Sequence, residues 1–427
     1  MHQLSGDPSR GADPPDLELV DIEADTDSPP APTRVQGRVG RILLGISLVL
    51  IAFNLRPVFS SLSAVLPEVM AALAVSPAIA SLLTTLPVLC LGLFAPAAPA
   101  LAARFGAERT ILALLLVLAL GTGLRGLATL PSLLIGSVLA GGSIAVVNVL
   151  LPGLVKRDFP ERAALMTGLF TMALCAGAAV AAAATVPIEM RLGSWPLALA
   201  VWALPALGVA VIWTPAALRS APNRHGHGAK IRSLWRDPIA WQVTLYMGLQ
   251  SAIAYSVFGW FVPILRERGL DAETAGYVLS ASVVAQMAAC LVLPGLAVRG
   301  RDQRAVAIGT VAISVLGLLG SMFGPLWAKW IFAIMGGFGQ GGLIAVAMTL
   351  IILRSPDIRI AANLSGMAQG VGYVLAAGGP LLTGFIRDRT GGFSAAALLF
   401  LAIGVAAGAA GWGAGRNRLI GVVGSGR

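Results

Sequence analysis

The 427-residue sequence is short of charge: only 12% of its residues are Asp, Glu, Lys or Arg, about half the share in an ordinary soluble domain. A cytosolic enzyme of this length would need far more polar surface, so that class is excluded. Histidine is almost absent (His2, His225, His227), and no acidic pair or Ser/His/Asp set falls inside an apolar run. Integral-membrane catalysis therefore has no residues to use. Cys90, Cys175 and Cys290 are the only cysteines. They lack metal-ligand spacing and are expected to act as small buried hydrophobes. The 51 glycines have no strict period, and no Gly-rich loop ending in Gly-Lys-Ser/Thr exists to hold a nucleotide phosphate. The first forty residues contain no apolar signal region. No cofactor and no metal is expected.

What the sequence has is apolar length: 57% of residues are hydrophobic. Twelve apolar runs are separated by short polar breaks, at 42–69, 77–102, 109–128, 132–155, 162–188, 195–214, 238–265, 273–297, 304–323, 325–353, 359–386 and 393–414. Crossing about 30 Å of hydrocarbon takes roughly 20 helical residues, and each run is long enough to cross or nearly so. Membrane strands would alternate over about 10 residues, and these runs do not. The expected fold is an all-α membrane protein of twelve transmembrane helices. Runs 9 and 10 abut at Gly324-Pro325, the boundary least marked by the sequence.

Of the 30 Lys and Arg, 22 fall on the side of the membrane that carries the N-terminus, six on the other, and Arg56 and Arg125 lie within runs. The positive-inside rule then puts both termini in the cytoplasm. The net charge of +10 follows from this topology, so no nucleic acid partner is inferred. Residues 1–40 hold eight of the 20 acidic residues and are expected to be a disordered, acidic cytoplasmic tail. Residues 215–237 form a basic linker in which His225 and His227 have no third ligand for a metal. Residues 415–427 form a cytoplasmic C-terminal tail.

The chain also repeats. Leu66-Pro67 and Val262-Pro263 stand 196 residues apart, Arg104 and Arg299 195 apart, and Lys156-Arg157-Asp158 matches Arg354-Ser355-Pro356 at about the same offset. Gly193-Ser194-Trp195 and Gly392-Phe393-Ser394 open the sixth and twelfth runs. The chain thus divides into two pseudo-symmetric six-helix bundles, 41–214 and 238–414, joined by the linker.

With that organisation in place, a resemblance emerges. Six plus six spans with a long middle loop resembles the major facilitator superfamily. Leu101-Ala102-Ala103-Arg104-Phe105-Gly106-Ala107-Glu108-Arg109 is similar to its signature after the second span, with Ala103 where the signature has Asp and Pro99 where it has Gly. Asn54-Leu55-Arg56-Pro57, Leu82 to Cys90, Trp241-Gln242-Val243-Thr244 through Gly248-Leu249-Gln250-Ser251, Gly339-Gln340-Gly341-Gly342 and Ala368-Gln369-Gly370-Val371-Gly372-Tyr373 resemble one branch, the cyanate and 2-nitroimidazole porters. The likeness runs from about residue 40 to 412. It implies a multi-pass carrier of a bacterial inner membrane, working by alternating access, with spans 1, 4, 7 and 10 lining its cavity.

Arg56 is the most informative residue. It lies about 14 residues from either end of its run, too deep to snorkel. A guanidinium at mid-bilayer costs at least about 2.5–3.5 kcal/mol. Outside the tail, all twelve Asp and Glu sit in loops or terminal turns, so Arg56 is expected to have carbonyls, amides and water as partners, and to attract a small anion. Alternatively it bonds carbonyls freed at Pro57 and holds a kink. Arg125, near a run's end, is read as a snorkelling structural residue, and Trp195 and Trp260 as interface anchors. Asn54, Asn148, Tyr246, Gln250, Gln340, Gln369 and Tyr373 complete the candidate substrate-binding set, with helix–helix bonding an equal use for each. Tyr246/Gln250 and Gln369/Tyr373 share faces at i, i+4.

The expected partners are a small-molecule solute of anionic character and the lipid bilayer, with the protein a monomer. No buried carboxylate offers a proton relay, which favours facilitated diffusion or coupling through the solute's own proton. Cotransport through a peripheral carboxylate such as Glu68 stays open. Efflux of a neutral nitroheterocycle or drug is the competing transport reading, and a non-transporting receptor or scaffold the competing class.

Overall fold

The computed structural model describes residues 38–159, 162–219, 232–300, 302–356 and 358–421. The expected disordered tail (up to residue 37), His225 and His227 of the linker, Pro160 and Glu161, and the last six residues lie outside the described residues. Among the described residues the chain is all helix. Twelve helices have the length and apolarity to cross a membrane: Gly40–Leu73, Pro77–Phe105, Ala107–Leu127, Leu130–Asp158, Leu165–Leu192, Trp195–Leu218, Pro238–Glu267, Ala272–Ala297, Arg304–Phe323, Leu326–Leu353, Asn363–Thr390 and Ala396–Ala414. They are spans 1 to 12 below.

Local chemistry sets the span ends. Ser76 and Asp271 accept the backbone N–H three residues on, and Thr129 forms a reciprocal cap with Ser132, each satisfying donors that a helix start leaves open. Gly193 closes span 5 with φ at +62°, a conformation that a side chain would strain. The boundary between spans 9 and 10 falls at Gly324-Pro325, where Gly324 turns to extended backbone before a short 3-10 turn, Leu326–Ala328. The ring of Phe332 fills the space that a Cβ at Gly320 or Gly324 would need.

Span 1 is interrupted. Its helix stops at Asn54 and restarts at Pro57. Pro57 has no N–H to donate, so the backbone ladder is interrupted there; Arg56 itself stays in the helical region, at φ −112°, ψ −27°. Gly177 of span 5 lies over the Phe53 carbonyl at this break, so the neighbouring helix closes on it without a side chain between.

Spans 1–6 and 7–12 form the two bundles. They meet where span 5 lies along span 8, span 2 along span 11, and the second part of span 1 along span 7. Span 7 is the most enclosed, with 89% of its apolar window buried against 39% for spans 11 and 12; it is the spine of the interface. We call the side where the described chain begins and ends the termini face. On the opposite face an ion pair joins the bundles, Arg266 Nη1 to Glu68 Oε1 at 2.5 Å. On the termini face Arg157 bonds Glu108 at 2.5 Å and Asp158 at 2.8 Å, but these tie span 3 to span 4 within one bundle. Glu108 takes this part although Ala103 replaces the signature's Asp.

Two expectations about span ends are corrected. Arg125 does not snorkel. It is 1% exposed, and donates to the Val58 carbonyl at 2.9 Å and to Ser137 Oγ at 3.1 Å. A glycine at 136 lets its stem pass close to span 4, so the guanidinium turns inward, where fixed acceptors replace water. Trp260 is no interface anchor: it is fully buried and donates Nε1–H to the Pro380 carbonyl at 2.9 Å, in a slot that Gly384 leaves open.

Candidate solute-binding site

The break in span 1 delivers Arg56 to the seam between the bundles. Its Nη1 donates to Tyr255 Oη of span 7 at 3.3 Å. Its Cζ stands 5.8 Å from the centre of the Tyr255 ring and 6.0 Å from those of Phe59 and Phe258. The rings brace one another: Phe59 and Tyr255 have centroids 5.4 Å apart, Tyr255 and Phe258 6.4 Å, and Tyr255 meets Tyr373 of span 11 edge-on at 6.0 Å. The partners are therefore a phenol and aromatic faces, in place of the expected carbonyls and amides. The same three rings, with Leu62, Thr84 and Pro87 among others, line a narrow crevice with room for about one water molecule.

Among the described residues Arg56 makes no ion pair; the pairs present are on the bundle ends. Magnitudes decide what that means. Rings about 6 Å away are at the outer limit of cation–π attraction, each worth about 0.5–1 kcal/mol where water reaches. One hydrogen bond of 3.3 Å is at the long end of useful geometry. Neither neutralises the charge, and Arg56 is only half-buried. The guanidinium thus keeps its charge among aromatic rings, with one side-chain hydrogen bond and no ion pair among the described residues.

The predicted residues separate into groups. Arg56 and Tyr373 both gather around Tyr255. Gln369 lies one turn from Tyr373, half-buried, and donates to Ser365 Oγ at 2.8 Å. Asn54 is buried and turns back on its own helix to the Leu50 carbonyl at 2.8 Å. Asn148 is half-buried in span 4. Gln250 is buried and bonds Ser251 Oγ at 2.8 Å and the Met247 sulfur at 3.4 Å, within its own helix. Tyr246 does not join the site: its ring packs against Gly411 of span 12. Gln340 lines a separate crevice inside the second bundle with Phe261, Ser282 and Phe332.

Sequence reasoning missed Phe59, Tyr255 and Phe258. The signal available was scarcity: the chain has only four tyrosines. Cys90 is buried as expected; Cys175 and Cys290 are half-buried, Cys175 packed against the hydrophobic core.

Twelve spans in two bundles around one cationic, ring-lined seam define a membrane transport protein, not an enzyme. The crystal structure of a bacterial homologue of the human lysosomal transporter Spinster, in an inward-facing and unoccupied conformation, shares this fold with a TM-score of 0.71 at 14% identity, covering 88% of this chain and 97% of that one. Residues 43–380 match the Major Facilitator Superfamily. The sequence is 36% identical over 365 residues to the 2-nitroimidazole transporter of Escherichia coli strain K12, spanning 85% of this chain and 92% of the relative. It is 30% identical over 347 residues to the cyanate transport protein CynX of the same organism, spanning 81% and 90%. The chain belongs to the Major Facilitator Superfamily, in the branch that contains these cyanate and nitroimidazole transporters.

Proposed function

We propose that the protein carries a small planar anion across the bacterial inner membrane, holding it at Arg56 between the two bundles. The observation that carries this reading is a half-buried guanidinium at mid-span with no carboxylate paired to it among the described residues. A fixed positive charge without a fixed negative one favours an anionic solute, and a guanidinium fork suits one whose acceptors lie in a plane. The rings add flat surface for a conjugated body. Cyanate fits the charge. A nitroimidazole fits the rings and presents a planar nitro group to the fork, so transport of a nitroheterocycle is the second reading, favoured by the aromatic wall.

Alternating access then follows from the halves, residues 41–214 and 238–414, rocking about the site. The Glu68–Arg266 pair ties the bundles together at the face opposite the termini. The Lys/Arg asymmetry assigns the termini face to the cytoplasm. The carrier acts as a monomer, and with no acidic residue at mid-span its flux runs down the solute's gradient or with the solute's own proton.

The test is flux of labelled cyanate and of 2-nitroimidazole into proteoliposomes, wild type beside Arg56→Gln. Loss of cyanate flux in the variant is the expected result. Cyanate flux equal to wild type would overturn the anion reading, and nitroimidazole flux that survives the change would favour a neutral cargo.

A further inference from the structure

The stretch after span 12 reads as a plain cytoplasmic tail, yet its described part folds back across the termini-face end of the second bundle. Arg354, just past span 10, is 2% exposed. Its Nε donates to the Ala414 carbonyl at 2.7 Å, and its Nη2 donates to the Gly415 carbonyl at 3.0 Å and to Gln303 Oε1. The Gly415 carbonyl also accepts from the Gln303 backbone N–H at 3.1 Å, at the start of span 9. Arg416 to Leu419 are exposed, and then Ile420 turns in. Its side chain packs into the core at 4% exposure, and its N–H donates to the Arg354 carbonyl at 2.9 Å. The next residue reaches span 7: the Gly421 N–H donates to Asp237 Oδ2 at 2.9 Å. Asp237 Oδ1 meanwhile caps the first turn of span 7, accepting from Ile239 N–H at 2.7 Å and Ala240 N–H at 3.2 Å. One short stretch therefore ties together the ends of spans 7, 9, 10 and 12.

The repeat shows what this stretch stands in for. Arg354 corresponds to Arg157 at an offset of 197, Gln303 to Glu108 at 195 and Ala414 to Ala217 at 197. In the first bundle the arginine is held by the carboxylates of Glu108 and Asp158. In the second, Gln303 and Ser355 occupy those places, and the acceptors of Arg354 among the described residues are neutral oxygens, two of them carbonyls where span 12 runs out. A buried charge needs its acceptors held in place, and Ile420 and Gly421 anchor the chain just beyond those carbonyls. We infer that residues 415–421 are a conformational strap: they clamp the termini-face ends of spans 7, 9, 10 and 12, so that the second bundle moves as one body and span 7 is fixed at the end from which it carries Tyr255 to Arg56. Burial of an isoleucine contributes more than an exposed hydrogen bond, so Ile420 is the pin of the strap.

The inference does not depend on the nature of the solute, and its test reads local opening instead of transport. Amide hydrogen exchange is followed by mass spectrometry on the full chain in detergent, beside a chain with residues 417–427 deleted and the variants Ile420→Asp and Ile420→Leu. In the deletion and in Ile420→Asp, the amides of the first turns of span 7 (239–244) and of the end of span 10 (351–354) should exchange at least tenfold faster. Those of span 3, in the first bundle, should exchange as in the wild type, and Ile420→Leu should match the wild type throughout. Wild-type exchange at the start of span 7 in the deleted chain would overturn the proposal. So would an equal acceleration in span 3, which would mean a loss of global stability and no local clamp. Asp237→Asn gives a second test that keeps residues 415–421 whole. It retains the capping oxygen and removes the acceptor for Gly421, so exchange should rise roughly threefold at the start of span 7 alone; no rise there would also overturn the strap.

Discussion

Phe59 and Tyr255 stand 196 residues apart in the chain and 5.4 Å apart between ring centres. That separation is the repeat offset of the two halves, so equivalent positions of the two bundles meet at the seam. Symmetry puts a ring on each side, but it does not repeat the charge: the counterpart of Arg56 is Ala252. The site is thus symmetric in its wall and asymmetric in its anchor. One bundle offers the cation, and the other offers the phenol that receives its hydrogen bond.

Tyr255 separates ring from hydroxyl. Tyr255→Phe removes the acceptor for Arg56 Nη1 and keeps the face. A hydrogen bond to a charged group contributes about 1.5–3 kcal/mol at best, and this one is long, so apparent affinity should fall roughly threefold to tenfold. Tyr255→Ala also unpacks Phe59, Phe258 and Tyr373 and should cost more than tenfold. Solute-dependent thermal shifts on purified protein measure both. Equal losses in the two variants would show that the ring contributes nothing.

The ion pair across the opposite face predicts a shift in state, not a loss of fold. Glu68 and Arg266 side chains are 24% and 27% exposed, where such a pair is worth about 0–1 kcal/mol. Glu68→Gln should therefore raise the population open to that face by up to about fivefold and leave the melting temperature within about 2 °C. A cysteine at Leu62, behind the pair, would be labelled faster from that face in the variant. Unchanged labelling would show that the pair does not gate.

Much of this architecture is legible in the sequence, and the reasons are physical. Hydrocarbon thickness fixes the run length, so the twelve spans follow from hydropathy. Arg56 stands out because lone charge at that depth is expensive. The facing of span 7 is not legible. A helix buried nearly all round carries no apolar stripe to give its rotation, and choosing Tyr246 by its spacing to Gln250 picks the wrong side. Nine residues at 3.6 per turn place Tyr246 and Tyr255 about half a turn apart, which is why one packs on Gly411 and the other on Arg56. Tertiary partners are equally hidden. Nothing local in Arg125 or Trp260 announces the carbonyls of Val58 and Pro380.

Two glycines of span 5 should respond in opposite directions. A Cβ at Gly177 would strike the Phe53 backbone at the break in span 1, while one at Gly168 meets nothing within 4 Å. Gly177→Ala should destabilise by about 1–3 kcal/mol through overpacking against backbone that cannot yield. Gly168→Ala should be neutral or stabilise by up to about 1 kcal/mol, because alanine loses less entropy in a helix. Thermal unfolding in detergent compares them; a stable Gly177→Ala would mean that span 5 does not press on the break.

The two membrane arginines give the sharpest contrast, since they share a chemical group and differ only in partners. Arg125 is sealed and bonds a carbonyl and a hydroxyl of its own bundle. Arg125→Gln should cost about 1.5–3 kcal/mol of stability, as charged hydrogen bonds do, and leave the KM for solute within about twofold. Arg56 is half-buried and, among the described residues, bonded to Tyr255 alone. Arg56→Gln should change stability little or raise it, because an expensive charge leaves the membrane, while the KM for an anion rises at least tenfold. Unfolding curves and flux on the same two variants check the pair. If Arg125→Gln raised KM while Arg56→Gln only lowered stability, the roles of binding and bracing would have to be exchanged.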